Sequence, residues 1–121
     1  MPKYQSGSGT HIVELCIQET DGHGLCCFVT GGELPHVGGI AVAYPAKEGC
    51  VVESISLPMH KDAVLAKLLA STICSATGQP TSVTAGLHVD NATREDIQDL
   101  CNNARAAAEM YLRECGCQFE R

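Results

Sequence analysis

Across residues 10–20, Val13, Leu15 and Ile17 share one parity while Glu14 and Gln18 take the other, the period-two alternation of a strand with one buried face. Asp21-Gly22-His23-Gly24 is a turn signal, and the apolar run 25–29 beyond it predicts an antiparallel hairpin. The uninterrupted run Ile40-Ala41-Val42-Ala43-Tyr44 predicts a strand buried on both faces. A turn over 45–49 then leads into a fourth strand over 50–57. From Pro58-Met59-His60-Lys61-Asp62 onwards the period changes: Val64, Leu65, Leu68, Leu69, Thr72 and Ile73 recur at helical spacing until Gly78 and Pro80 stop the helix.

Residues 81–89 return to alternation, with Val83, Ala85, Leu87 and Val89 on one face and Ser82, Thr84, Gly86 and His88 on the other. The second row leaves space where a flat ligand could lie. Thr93 with Asp96 forms a capping-box signature that opens a second helix, striped by Ile97, Leu100, Cys101, Ala104, Ala108 and Tyr111. More strands than helices, with short turns, predict an α+β fold: a largely antiparallel sheet with two helices on one face. Two helices leave the other face bare, so the double burial expected of 40–44 calls for a cover, and a homodimer packed through that face would supply it. The expected organisation is a flexible segment over 1–9 and one domain over 10–121.

Composition narrows the function classes. The chain has 121 residues, 45% hydrophobic and 18% charged, enough for a core without metal or disulfide staples. A net charge of −6 with scattered Lys and Arg, no Trp and few aromatics argues against nucleic acid. No stretch resembles a signal peptide or reaches membrane-span length, so a cytoplasmic protein is expected. The eight cysteines are then reduced thiols, chiefly small core hydrophobes; none forms a CxxC pair, Cys26 and Cys27 point to opposite faces of a strand, and Cys115-Gly116-Cys117 is the one close pair left.

Three segments carry candidate chemistry. Gly31-Gly32-Glu33-Leu34-Pro35-His36-Val37-Gly38-Gly39 reads as a binding loop in which backbone approaches a ligand closely, or as a wide turn between strands. In His60-Lys61-Asp62 the lysine opposes the macrodipole of the helix that follows. It either completes a phosphate or carboxylate site at the helix start or points into solvent. In His88-Val89-Asp90-Asn91 the carboxylate can orient the imidazole, or Asp90 and Asn91 simply turn the chain. His36, His60, His88 and Asp90 are chemically suited to a metal, but no HxH or HExxH spacing pins them together, so no firm metal follows. GxSxG, Walker A and GxGxxG patterns are absent. Chemistry alone points to a small binding protein for a polar or anionic ligand.

Taken in order, Gly31-Gly32-Glu33-x-Pro35-His36-Val37-Gly38, His60-Lys61-Asp62 and Gly86-Leu87-His88-Val89-Asp90-Asn91-Ala92-Thr93 resemble the small D subunit that accompanies gallate decarboxylase and similar UbiD-type, prenylated-flavin-dependent decarboxylases. The resemblance runs from about Thr10 to Tyr111. It implies a homodimer with a fold similar to proteasome-assembly chaperones. It also implies a non-enzymatic chaperone that binds reduced prenylated FMN and delivers it to the large decarboxylase subunit. Motif position and chemistry then nominate Gly31, Gly32, His36, Gly38, Gly39, His60, Lys61, Asp62, His88, Asp90 and Asn91 as the flavin-contacting set. Two other classes remain open: a small metal-dependent enzyme that uses His36, His60, His88 and Asp90 to activate water, and a ligand-free interaction or assembly factor.

Overall fold

The computed structural model describes residues 1–117, so 118–121 of the expected domain lie outside the described residues. Strands β1 (Lys3–Ser6), β2 (Val13–Glu19), β3 (Leu25–Gly32), β4 (Gly39–Ala46), β5 (Gly49–Ser56) and β6 (Thr81–His88) form one sheet, with helices α1 (Asp62–Thr77) and α2 (Arg94–Glu114). The strand order is β1-β2-β3-β6-β4-β5. Every neighbouring pair is antiparallel except β3 with β6. This is the α+β, largely antiparallel architecture that the alternation predicts.

Both helices lie on one face because the buried strand positions all share it. Val13, Leu15 and Ile17 of β2, Val29 of β3, Val83 and Ala85 of β6, and Ala41 and Ala43 of β4 enter one core with Leu65, Leu69 and Ile73 of α1 and Leu100, Ala104 and Ala108 of α2. Leu15, Ile17, Leu69, Ile73 and Leu112 are among the fully enclosed side chains. Burying each such aliphatic stabilises the fold by about 1.5–3 kcal/mol. Helix α1 packs chiefly over β4, β5 and β6, and α2 over β1 and β2.

The helix ends follow their sequence signals. Gly78 takes a left-handed conformation, φ 72°, and its N–H donates to the Cys74 carbonyl at 2.8 Å, closing α1. Thr93 Oγ1 accepts from the Asp96 N–H at 3.1 Å while Asp96 Oδ2 accepts from the Thr93 N–H at 2.8 Å, completing the capping box of α2.

Four features differ from the pattern-based expectation. Residues 3–6 form an edge strand on β2, and Tyr4 packs edge-on against Tyr111 of α2 at 5.6 Å between ring centroids. Burial, reinforced by Glu114, pushes the Tyr4 phenol up to about 12. Gly31 and Gly32 belong to β3 rather than to a loop. Helix α1 begins at Asp62, with 58–61 held as a turn by the His60 N–H on the Leu57 carbonyl, 3.2 Å. Finally, β4 is not enclosed on both faces: Ala41 and Ala43 are buried, while Ile40, Val42 and Tyr44 are exposed on the helix-free face.

Candidate functional site

The connection between β3 and β4 is not a hairpin, because β6 lies between them. Residues 33–38 therefore cross the C-terminal end of β6, tied there by the Glu33 N–H on the His88 carbonyl at 2.6 Å and the Gly38 N–H on the Ala85 carbonyl at 2.8 Å. Gly86 makes this crossing possible, since a Cβ there would overlap the His36 carbonyl. The space beside Gly86 is thus filled by the protein's own backbone, so at this end of the row Ser82, Thr84 and Gly86 no flat ligand can lie. That end is occupied because the loop joining β3 to β4 has to pass over it.

The crossing brings three distant histidines together. The His36 ring lies 4.9 Å from that of His60 and 6.4 Å from that of His88, centroid to centroid. His36 Nδ1 is 2.8 Å from the Leu34 carbonyl, and its Nε2 is 3.2 Å from Asp62 Oδ2. His60 Nδ1 is 3.7 Å from the same oxygen. The other Asp62 oxygen accepts from the Leu87 N–H at 3.1 Å, so the first residue of α1 is tied to the end of β6. His88 Nε2 donates to Asp90 Oδ1 at 2.7 Å, and the Asp90 N–H donates to Glu33 Oε1 at 3.1 Å. The carboxylate-oriented imidazole read from His88 and Asp90 therefore forms.

Beside this polar cluster lies a pocket of about 440 Å³ between the start of α1, the end of β6 and the first turns of α2. Such a volume accommodates a small organic ligand. Its polar edge is His36, His60, Lys61, Asp62 and His88, and its walls are mainly aliphatic: Val64, Leu65, Leu68, Leu87, Val89, Ile97 and Leu100. Met59 stands at the pocket, fully exposed, with a left-handed backbone, φ 68°. That conformation is costly for a side chain of this size. Cys101 also lines the pocket; burial raises its thiol, which keeps it protonated and unreactive near neutrality.

Of the residues expected to contact a ligand, His36, His60, Lys61, Asp62 and His88 line the pocket, whereas Gly31, Gly32, Gly38, Gly39, Asp90 and Asn91 are not among its lining. The four glycines answer to close approach within the protein. Side chains there would overlap Ile12 and Val13 at Gly31, the His88 backbone at Gly32, Asp62 at Gly38, and Ala63 at Gly39. The aliphatic walls were not singled out by sequence reasoning. Their signal was present: Val64, Leu68 and Ile97 widen the helical stripes beyond what a single core contact uses, and all three remain exposed.

A family model described as a prenylated flavin chaperone LpdD-like domain matches residues 7–116. The chain is also similar to Protein LpdD of Lactiplantibacillus plantarum, 29% identical over 86 residues, which cover 67% of this chain and 61% of that protein. The match thus spans less than two thirds of the relative's length.

Proposed function

The chain belongs to the LpdD-like prenylated flavin chaperone family, and we propose that it binds reduced prenylated FMN in this pocket and delivers it to a UbiD-type decarboxylase. The observation that carries the reading is the division of the pocket into an aliphatic wall and an edge of imidazoles and one lysine. A prenylated flavin has the matching division, with an apolar fused ring system at one end and a phosphate at the other. Val64, Leu68, Ile97 and Leu100 would take the ring system. Lys61 and the start of α1 would take the phosphate, because unsatisfied N–H groups and an ammonium both favour an anion. His60 and His88 would hydrogen-bond the polar edge of the rings, while both nitrogens of His36 are already engaged, by the Leu34 carbonyl and the Asp62 carboxylate.

In this role the protein performs no turnover; it shields the reduced cofactor and releases it to the large subunit. We place it in the cytoplasm, where such a partner would be met; no helix among the described residues is long and apolar enough to cross a membrane. We further propose a homodimer joined through the helix-free face, where Ile40, Val42 and Tyr44 are exposed.

The test is anaerobic titration with reduced prenylated FMN, with oxidised FMN as control, followed by absorbance and thermal shift. Selective, saturable binding of the reduced prenylated form, followed by activation of an apo-decarboxylase, is the expected result. Equal binding of both flavins, or of neither, would overturn it.

A further inference from the structure

Both ring nitrogens of His36 face oxygen acceptors. Its Nδ1 faces the Leu34 carbonyl at 2.8 Å, an acceptor, so Nδ1 carries the proton. The Nε2 of a neutral imidazole is then a lone pair, yet it faces the Asp62 carboxylate at 3.2 Å, also an acceptor. A shared proton or a metal ion would complete that contact. His60 decides which the arrangement suits, since it brings a second imidazole nitrogen to 3.7 Å from the same carboxylate oxygen. One ligand atom from each of His36, His60 and Asp62 lies within 4.8 Å of the others. Ligands on one tetrahedral ion with bonds near 2.0–2.1 Å stand about 3.3 Å apart, so small side-chain rotations would close the set.

We propose that His36 Nε2, His60 Nδ1 and Asp62 Oδ2 bind a divalent first-row transition ion. The surroundings have the form that metal ligands require: the distal nitrogen of His36 is fixed by a backbone carbonyl, and the second oxygen of Asp62 by the Leu87 N–H. Two imidazoles and one carboxylate favour zinc, cobalt, iron or manganese over calcium or magnesium. Asp62 serves here in place of Asp90, which is engaged by the Nε2–H of His88. All three ligand residues line the pocket, so an ion held by them would border it. The ion has a positioning role, and no reaction is assigned to it.

The site is testable without any flavin, so its failure would leave the chaperone reading standing, and the reverse. Chelator-treated full-length protein is titrated with Co²⁺ under reducing conditions and followed by its visible ligand-field absorption. Eight cysteines could compete for the ion, and a thiolate site would announce itself by a near-ultraviolet charge-transfer band. The expected result is one equivalent bound without that band, weakened by about tenfold or more in His60→Ala and unchanged in His23→Ala. His60→Gln serves as a second variant, and circular dichroism verifies that both remain folded. Binding that is equal in wild type and both His60 variants, or that carries the thiolate band, would overturn the proposal. So would ¹⁵N shifts showing the His36 ring doubly protonated at pH 8 with Co²⁺ present.

Discussion

Single side chains set the chemistry of this site, and several of them can be tested separately. Lys61→Ala removes the ammonium at the start of α1, and loss of one anion contact predicts binding of the reduced flavin weakened by about tenfold, or about 1.4 kcal/mol. Lys47→Ala, in the turn between β4 and β5, leaves it unchanged. The same titration read side by side checks both, and equal effects would remove the basis for an anion contact there. Gly86→Ala forces a methyl group into the His36 carbonyl. It should destabilise the protein by about 1–3 kcal/mol and abolish ligand binding by displacing the loop. At this scale the sequence was informative about polar groups and silent about glycine. His36, His60, Lys61, Asp62 and His88 stand out by type and position, whereas a glycine looks the same whether a ligand or its own chain lies against it.

Elements translate those residues into a pocket. Helix α2 depends on its capping box: the Thr93 backbone N–H, then the His11 imidazole, hold the Asp96 carboxyl below its ordinary value of 3.8. A lowered carboxyl contributes stability above its unfolded value, and that contribution is lost as pH falls through the lower folded value. Thermal melts should therefore show an acid loss below pH 3.8 that is flattened in Asp96→Asn, and Thr93→Ala should cost about 1 kcal/mol at neutral pH. The turn before α1 behaves in the opposite sense. Met59→Gly relieves a left-handed backbone worth about 1–2 kcal/mol, partly offset by the greater chain entropy of glycine. It should raise the melting temperature while weakening ligand binding, and a calorimetric melt beside a flavin titration separates the two. Helix limits and strand faces were legible because caps, glycines and periodicity are local signals. Strand β1 was not, since Lys3-Tyr4-Gln5-Ser6 owes its conformation to pairing with β2 and to Tyr111, neither of which is local.

For the whole molecule the helix-free face matters most. Phe28 of β3, Thr84 of β6, Ile40 of β4 and Ile55 of β5 lie along one row across the sheet, and Val42, Tyr44 and Val51 stand on the same face; the six apolar side chains are exposed. Clustered apolar side chains of this kind mark a contact surface, and a self-complementary face suits a two-fold dimer. Val42→Lys should convert a dimer at micromolar concentration into a monomer by sedimentation equilibrium, with ligand binding intact if the pocket is complete in each chain. A monomeric wild type would refute the dimer. The continuous run at 40–44 hinted at this second face, though no spacing could say what covers it. Nor could any local pattern reveal that β6 enters between β3 and β4, because a parallel pair formed across so long a connection leaves no turn signal behind.

That insertion sets an order of assembly. Strands β1, β2 and β3 form one antiparallel block and β4 with β5 another, and among the described strands β6 is what joins them. Until residues 81–88 leave the ribosome, β3 and β4 each present an unpaired edge, and the loop carrying His36 has no strand end to cross. Between the synthesis of β5 and that of β6 the chain therefore holds two half-sheets with no shared strand, and the pocket is complete only after the first turns of α2, with Ile97 and Leu100, have followed.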